Sequence, residues 1–223
     1  MTADSINRIF GEPLIYEYTY RITSGSLAFS DTLSGELACE AVQAAGRYPI
    51  SQGTLTDGNN SNYAITFVGA FYNISKASIG VSVPKNTYYK IFAEDDPQLT
   101  HETDGVGEKF FVTFTREPGE DAGFYDIVSV ASQDPNYQVY IQGDSGKDSF
   151  EIRRRQITVF ANPAGHIYGE ADAIITFSVA NLPSGYTVAG TLSREEGKDV
   201  NTYQILQGSV TDENNPNYAI TFV

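Results

Sequence analysis

The stretch Asn-Tyr-Ala-Ile-Thr-Phe-Val occupies residues 217–223, and the same seven residues stand at positions 62–68. The likeness continues upstream, because residues 207–216 and 52–61 both run from Gln-Gly into a loop rich in Asn and Asp. A divergent version, Asn-Tyr-Gln-Val-Tyr-Ile, lies between them at residues 136–141. Self-similarity at a regular spacing is the signature of a repeat protein. We therefore expect several copies of one small module.

These three stretches, here called the Asn-Tyr strands, alternate large apolar residues with small or polar ones. In the first, Tyr63, Ile65 and Phe67 share one side, which predicts a strand with one face on a core. A second alternating stretch, the tyrosine strand, comes earlier in each copy and reads Tyr-x-Ile from Tyr48, Tyr125 and Tyr203. Turn-forming Asn, Asp, Gly and Pro separate the two stretches, so the sequence predicts a β-hairpin with a long loop.

A third landmark, the turn motif, recurs once in each copy at residues 9–12, 91–94 and 167–170. Gly11 and Gly169 follow an aromatic residue and precede Glu, which predicts a tight turn that needs positive φ or close backbone approach, although the second copy has Ala93. The order of landmarks divides the chain into units at residues 1–77, 78–155 and 156–223. In this register Met1 lies opposite Val159, within the opening strand of the third unit. Residue 223 falls before a closing strand, so we expect a window on a longer array.

The composition indicates an all-β protein. Twenty Gly, nine Pro, fifteen Tyr and thirteen Phe, with no Trp and one Met, are typical of short strands joined by many turns. We predict three tandem β-sandwich-like domains of about six strands, in an elongated array. An immunoglobulin-like sandwich is favoured because the tyrosine strand resembles a corner where a Tyr hydroxyl bonds the backbone; a β-grasp-like sheet is the alternative. Linkers of two to four residues, such as 76–78 and 153–156, limit bending.

The charge and cysteine content exclude several classes of protein. The formal net charge is −14, so nucleic acid and anionic lipid are repelled, and the basic run at residues 153–155 is interpreted as a solvated junction. The single cysteine, Cys39, excludes an intrachain disulfide. No apolar run is long enough to span a bilayer, and the N-terminus lacks the features of a signal peptide.

The residues that could serve in catalysis or metal binding are better explained by structural roles. Glutamates recur at Glu40, Glu117 and Glu195, but no second carboxylate or His recurs beside them, so we interpret them as turn or rim caps. Cys39 is interpreted as an incidental thiol at a strand end near solvent, since neither His101 nor His166 has a matched Asp. The acidic loops at residues 57–60, 95–96, 144 and 212–214 lack the alternating spacing of a calcium loop, so turn chemistry is favoured over Ca²⁺. No catalytic, cofactor-binding or metal residue is predicted.

Aromatic residues raise a second possibility, a platform for sugar rings. Most of them fall at core-facing alternate positions, including the tyrosine-strand residues, so core packing is favoured. The stretches where an exposed row remains possible are Tyr16, Tyr18 and Tyr20, and Tyr88 and Tyr89.

Several segments together resemble a known family. They are Ile-Tyr-Gly-Glu-Ala-Asp at residues 167–172, Ser-Asp-Thr-Leu-Ser-Gly-Glu-Leu at residues 30–37, the Gly-x-Tyr-x-Ile strand followed by Gln-Gly, and Asn-Tyr-Ala-Ile-Thr-Phe-Val. These resemble the MBG domain of the YGX type, a repeat module of large bacterial secreted and surface proteins, including adhesin-like ones. The second copy departs most, with Ala93 in the motif. The resemblance implies an extracellular, non-catalytic repeat and carries over no ligand residues.

Composition and resemblance together favour a structural role. We expect a stalk or spacer that projects a binding domain from a bacterial surface, with neighbouring repeat units as its partners and neither nucleic acid nor membrane insertion. The alternative is a β module that binds a glycan or another surface ligand. An enzyme is disfavoured because no nucleophile motif accompanies the two histidines and the one cysteine.

Overall fold

The computed structural model describes residues 1–40, 43–83, 85 and 87–223. About 38% of the chain is strand, and within the described residues the helical structure consists of one 3₁₀ turn at Asp57–Asn59. The predicted all-β class is therefore confirmed.

The strands are short and follow one another along the chain. The first six are β1 (Thr2–Ala3), β2 (Ile6–Ile9), β3 (Tyr20–Arg21), β4 (Ala38–Cys39), β5 (Gly46–Ser51) and β6 (Ala70–Ser75). The next eight are β7 (Ala77–Val81), β8 (Tyr88–Ile91), β9 (Thr100–Asp104), β10 (Lys109–Arg116), β11 (Gly123–Tyr125), β12 (Ile127–Ser132), β13 (Tyr137–Ile141) and β14 (Phe150–Arg153). The last five are β15 (Arg155–Ala161), β16 (Phe177–Ala180), β17 (Ser193–Arg194), β18 (Ile205–Leu206) and β19 (Tyr218–Phe222).

The closing strands β6 and β14 occupy equivalent places in the first two copies. On one side each runs parallel to the strand that leads into the turn motif, β2 or β8. On the other side each runs antiparallel to the tyrosine strand, β5 or β11. The register also agrees, because Tyr72 lies opposite Tyr48 and Phe150 lies opposite Tyr125. The closing strand therefore lies between these two strands and does not pair with the opening strand of its copy.

The Asn-Tyr strands pair in parallel with the opening strand of their own copy. Strand β13 pairs with β7, and β19 pairs with β15. The predicted hairpin between the tyrosine strand and the Asn-Tyr strand is therefore wrong. Alternation with period two specifies which face of a strand is buried, but it does not specify the neighbour.

In the first copy the Asn-Tyr stretch is not a regular strand. Its pairing with the opening strand is a single parallel bridge between Thr2 and Val68. The bonds around that bridge match the third copy, since the Val68 amide donates to the Met1 carbonyl as Val223 does to Val159. In the third copy the earlier part of this ladder is made by residues 155–158.

Successive copies join through very short connections. One residue, Lys76, separates β6 from β7, and one residue, Arg154, separates β14 from β15. The predicted linkers of two to four residues are too long, because the closing strand ends where the next opening strand begins.

The described residues fall into two compact units by their contacts. One comprises Met1–Val81, Thr100–Phe114 and Ser129–Ile141, and the other comprises Ser82–Leu99, Thr115–Val128 and Gln142–Val223. In the first unit the buried cluster includes Ile50, Leu55, Tyr72 and Ile74. In the second unit one buried cluster is built on Val159, Leu192 and Val210. The second copy contributes segments to both units, and the division at residues 77/78 and 155/156 stays a prediction.

Candidate functional site

The turn motif has the conformation that its glycines predict. Gly11 and Gly169 both have φ of 89°, and Ala93 adopts φ of 64° at the equivalent position. In the first copy the Glu12 amide donates to the Ile9 carbonyl, and the Glu12 carboxylate accepts from the Ile9 amide at 2.7 Å. The left-handed conformation costs an alanine about 1 kcal/mol. The second copy therefore keeps the turn at a modest cost.

The tyrosine strand forms the predicted corner in all three copies. Each hydroxyl donates to the carbonyl four residues earlier: Tyr48 to Ala44 at 2.9 Å, Tyr125 to Asp121 at 2.7 Å and Tyr203 to Asp199 at 2.9 Å. The rings are half-buried, not fully buried as core residues would be. Their constant role is to hold the loop that precedes the strand.

Beside the corner of the second copy lies a network of four charges. Arg116 makes a two-pronged ion pair with Asp96 at 2.7 and 2.9 Å and reaches Glu120 at 2.8 Å. Lys90 contacts Asp96 at 2.8 Å and also pairs with Glu120. The Lys90 and Arg116 side chains are only 4% and 7% exposed, whereas Asp96 is 37% exposed. Two buried cations are thus neutralised by two carboxylates at the surface.

The pKa shifts of this network agree in direction. Hydrogen bonds from Arg116 lower the pKa of Asp96, and hydrogen bonds from Lys90 lower the pKa of Glu120. Burial alone lowers the pKa of Lys90, but its hydrogen bonds to Asp96 and Glu120 outweigh burial, and the net pKa is raised. Each group is therefore held in its charged form, which is expected of a structural ion-pair network and not of groups that transfer protons. We call the Arg–Asp pair and its charged neighbours the clamp.

The third copy repeats the clamp in a more exposed form. Arg194 makes the same two-pronged pair with Asp172 at 3.1 and 2.9 Å and also donates to the carbonyls of Glu195 and Gly197. The pKa of Asp172 is lowered chiefly by its hydrogen bond from Arg194. His166 stands in the place of Lys90, 3.4 Å from Asp172. His166 does have a nearby Asp, which the spacing along the sequence did not reveal.

The first copy replaces the clamp with apolar residues. Leu14 stands where the other copies have Asp96 and Asp172, and Cys39 stands where they have Arg116 and Arg194. Both pack against the buried cluster of their unit. The remaining cation, Arg8, is 8% exposed, and its Nε and Nη1 have no hydrogen-bond partner within the described residues. The simultaneous replacement of Asp by Leu and of Arg by Cys is visible in the sequence. The sequence does not show, however, that the two positions are neighbours in the fold.

The recurring glutamates act as rim caps in two copies. The Glu117 carboxylate accepts from the Asp126 amide at 3.4 Å, and the Glu195 carboxylate accepts from the Gln204 amide at 3.2 Å. Cys39 lies at the end of β4 and is half-buried. Burial and then the neighbouring Glu40 raise the pKa of its thiol, which disfavours the reactive thiolate.

Side chains of the acidic loops form hydrogen bonds with backbone groups. Asp57 accepts from the Ile65 amide at 2.8 Å, and Asp212 accepts from the Ile220 amide at the same distance. The side chains of Asn60 and Asn215 are also equivalent, because each bonds the backbone amide and carbonyl of one upstream residue, Ser34 or Ala189, and a carbonyl of its own loop. In the described parts of the chain there is no cluster of three or more His, Cys, Asp or Glu side chains that could hold a metal ion.

The basic run at the second junction is tied down by acidic neighbours. Arg153 pairs with Glu151 at 2.8 Å and Arg154 with Asp212 at 3.6 Å. Arg155 donates to the Phe92 carbonyl at 2.9 Å and pairs with Glu94 at 3.3 Å. The run belongs to the junction, as predicted, but as a set of ion pairs.

One family profile, the MBG domain (YGX type), matches residues 1–72 and 157–223, well over half of the chain. The chain belongs to the MBG domain (YGX type) family. Modules of this family occur as repeats in surface proteins and are generally non-catalytic. No curated protein and no solved structure matches the chain. The part of the chain that the structure describes contains no helix long and apolar enough to cross a membrane.

The MBG copies do not build a row of exposed aromatic rings at either suggested stretch. Tyr16 is 72% exposed, but Tyr18 is half-buried and packs edge-on against Tyr72. Tyr88 is buried, and the guanidinium of Arg153 covers the ring of Tyr89 at 3.8 Å.

The third MBG copy contains a cleft that sequence reasoning did not anticipate. It lies between the segment before the turn motif, residues 163–170, and the tyrosine-strand segment, residues 197–205. Polar groups in its wall include His166, Asp172 and Arg194. Both oxygens of the Asp172 carboxylate accept hydrogen bonds from Arg194, and none of the three side chains is a Ser, Thr or Cys nucleophile.

Proposed function

We propose that this segment is a non-catalytic, extracellular spacer of a bacterial surface or secreted adhesin-like protein. Its three MBG units, at residues 1–77, 78–155 and 156–223, would form an elongated array that projects a distal binding domain. The observation that carries the proposal is that the same contacts recur at both junctions between successive copies.

The recurring junction contacts are an aromatic pair and an amide bond. Phe10 packs edge-on against Tyr137 with ring centres 5.4 Å apart, and Phe92 packs against Tyr218 at 5.5 Å. In each pair the turn motif of one copy meets the Asn-Tyr strand of the next. Aromatic pairs of this geometry contribute roughly 0.5–1.5 kcal/mol beyond their burial.

The amide bond lies next to the tyrosine corner. Asn136 accepts from the Ala45 amide at 2.8 Å, and Asn217 accepts from the Ala122 amide at 2.7 Å. Asn136 of the second copy thus bonds the corner of the first copy, and Asn217 of the third copy bonds the corner of the second. A junction with one linker residue and two repeated contacts supports a constrained orientation between neighbours, which is what a spacer requires.

The charge and the absence of recurring chemistry support the same proposal. A net charge of −14 disfavours lateral association of neighbouring stalks. The two clamped copies hold the charges beside their tyrosine corners in ion pairs, and the guanidinium of Arg153 covers the exposed ring of Tyr89. A glycan-binding module or an enzyme has less support, because neither an aromatic row nor a set of unpaired catalytic groups recurs in the described copies.

Small-angle X-ray scattering tests the spacer directly. A single compact globule of this length has a radius of gyration of roughly 17 Å, whereas three units of about 75 residues placed end to end give about 26 Å. We expect a value near the larger figure, little changed by added salt. A value near 17 Å would refute the spacer. Binding of the segment to a glycan array would favour the ligand-binding alternative.

A further inference from the structure

The two junctions between successive copies differ at the turn motif. At the first junction the loop between β9 and β10 lies against the turn of the first copy. A Cβ added to Gly11 would lie 2.8 Å from the Cβ of Val106 and closer still to its Cγ1. The turn therefore needs glycine for two separate reasons, which are its φ of 89° and the valine side chain that faces it.

The facing loop holds Val106 firmly in this place. The Val106 amide donates to the hydroxyl of Tyr137 at 2.9 Å, and the Gly105 amide closes the loop on the Glu108 carbonyl at 2.7 Å. The ring of Tyr137 is itself stacked on Phe110, with ring centres 4.2 Å apart. A valine side chain also has little freedom about χ1. The loop therefore cannot easily move aside for a larger residue in the turn.

The second junction brings different groups together. Its turn carries Ala93, and the facing loop of the third copy packs the ring of Tyr186 edge-on against Phe92, with ring centres 5.1 Å apart. The buried hydroxyl of Tyr218 has no partner among the described residues, whereas the equivalent Tyr137 accepts the loop amide. The third copy thus contacts the preceding turn motif through an aromatic ring and not through a short branched side chain.

The first residue of the opening strand differs as well. Arg155 begins β15, donates to the Phe92 carbonyl at 2.9 Å and pairs with Glu94 at 3.3 Å. At the first junction β7 begins with the buried Ala77, whose methyl side chain can form neither bond. Each junction therefore has contacts that the other cannot form.

We propose that Gly11 and Val106 form a matched pair that determines which MBG copy can follow the first one. The partner that fits the glycine turn is a copy whose facing loop holds a short branched side chain. An alanine turn rejects that partner, because its methyl group and the valine side chain would occupy the same space. Specificity of this kind comes from a clash with the wrong partner as well as from contacts with the right one. The inference rests on the proposed function, since it concerns the order of copies in the array.

A double-mutant cycle in the full chain tests the pair. Gly11→Ala gives the first copy the turn residue of the second, and the Ala45 amide, which donates to Asn136 at 2.8 Å, reports on the junction by hydrogen exchange. We expect Gly11→Ala to speed this exchange by at least about 50-fold when Val106 is present. In a chain that also carries Val106→Gly, the same change should speed it by only about fivefold, because the strain of the positive φ remains and the clash is gone.

The second junction supplies a matched control. Ala93→Gly gives the second copy the turn residue of the first, and it removes a side chain from a left-handed position with φ of 64°. The Ala122 amide reports on this junction through its 2.7 Å bond to Asn217. We expect its exchange to change by less than about threefold. Exchange faster by tenfold or more would contradict the asymmetry between the two turns.

The outcome of the cycle decides the proposal. A much smaller effect of Gly11→Ala in the presence of Val106→Gly supports the matched pair. Equal effects with and without Val106→Gly overturn it, since the turn conformation alone would then require glycine. Should Gly11→Ala fail to fold, recovery of the fold in the double variant supports the pair, and failure of the double variant overturns it. A compact radius of gyration would refute the spacer and leave the coupling intact, whereas absent coupling in an extended chain would refute the pair alone.

Discussion

Removing the charge of Asp96 in the second copy should lower the free energy of unfolding, and the equivalent change in the third copy serves as the control. In Asp96→Asn the two-pronged acceptor of Arg116 is weakened and the 2.8 Å contact with Lys90 loses its charge. Both cations stay buried, and Glu120 is left as their one carboxylate within the network. Breaking a fully buried pair costs about 3–5 kcal/mol, whereas an exposed pair contributes about 0–1 kcal/mol.

The exposure of Asp96 places the expected cost between these limits. Its side chain is 37% exposed and solvent screens part of the interaction, so we expect a loss of about 2 kcal/mol in the free energy of unfolding. The control is Asp172→Asn, which breaks an ion pair of the same geometry whose partners are 24% and 58% exposed. That change should cost less than about 1 kcal/mol.

Urea unfolding of the two variants at pH 7, followed by circular dichroism, measures the difference. With a slope of about 2 kcal/mol per molar urea, Asp96→Asn should lower its transition by about 1 M. Exchange of amides in β14 assigns the loss to the second copy. Equal losses for the two variants, or a loss below about 0.5 kcal/mol for Asp96→Asn, would refute the role of burial.

The same clamp predicts the direction of the pH dependence. The folded pKa of Asp96 lies below its ordinary value of 3.8, so its contribution is complete above that value and is lost as the pH falls through the lowered pKa. The stability difference between the original chain and Asp96→Asn should therefore shrink in acid. A difference that grows in acid would contradict the assigned shift.

Three further substitutions test the repeated geometry by thermal or urea unfolding. Gly208→Ala should cost at least about 3 kcal/mol, because φ is 59° and a Cβ would collide with the Thr191 carbonyl, whereas Gly169→Ala, with φ of 89° and open space around it, should cost about 1 kcal/mol. Similar losses for the two glycines would contradict this. Asn217→Ala should cost about 1 kcal/mol and speed exchange of the Ala122 amide, since it removes the 2.7 Å bond, while the exposed counterpart Asn62→Ala should be nearly neutral. Unchanged Ala122 exchange would count against the junction bond. Tyr203→Phe should cost about 1 kcal/mol through loss of the bond to Asp199, and a neutral result would show that the corner does not need the hydroxyl.

Local features of the fold could be predicted because each depends on neighbours along the chain. The positive φ of Gly11 and Gly169 follows from the turn they occupy, and the bond from each corner tyrosine reaches only four residues back. The loop chemistry of Asp57 and Asp212 is local in the same way. The candidate site was harder, because Arg116 is 20 residues from Asp96 along the chain, and no pattern in the residues indicates that they meet.

By itself the sequence determined that one all-β module is repeated, which of its stretches alternate and which family it belongs to, since repetition, alternation and turn chemistry can all be read along the chain. Only the tertiary structure decided the partners of those strands. Alternation gives Tyr72 and Phe150 a buried face, but an extended backbone offers the same hydrogen-bonding groups to any neighbour. Packing selected the parallel strand that leads into the turn motif on one side and the tyrosine strand on the other.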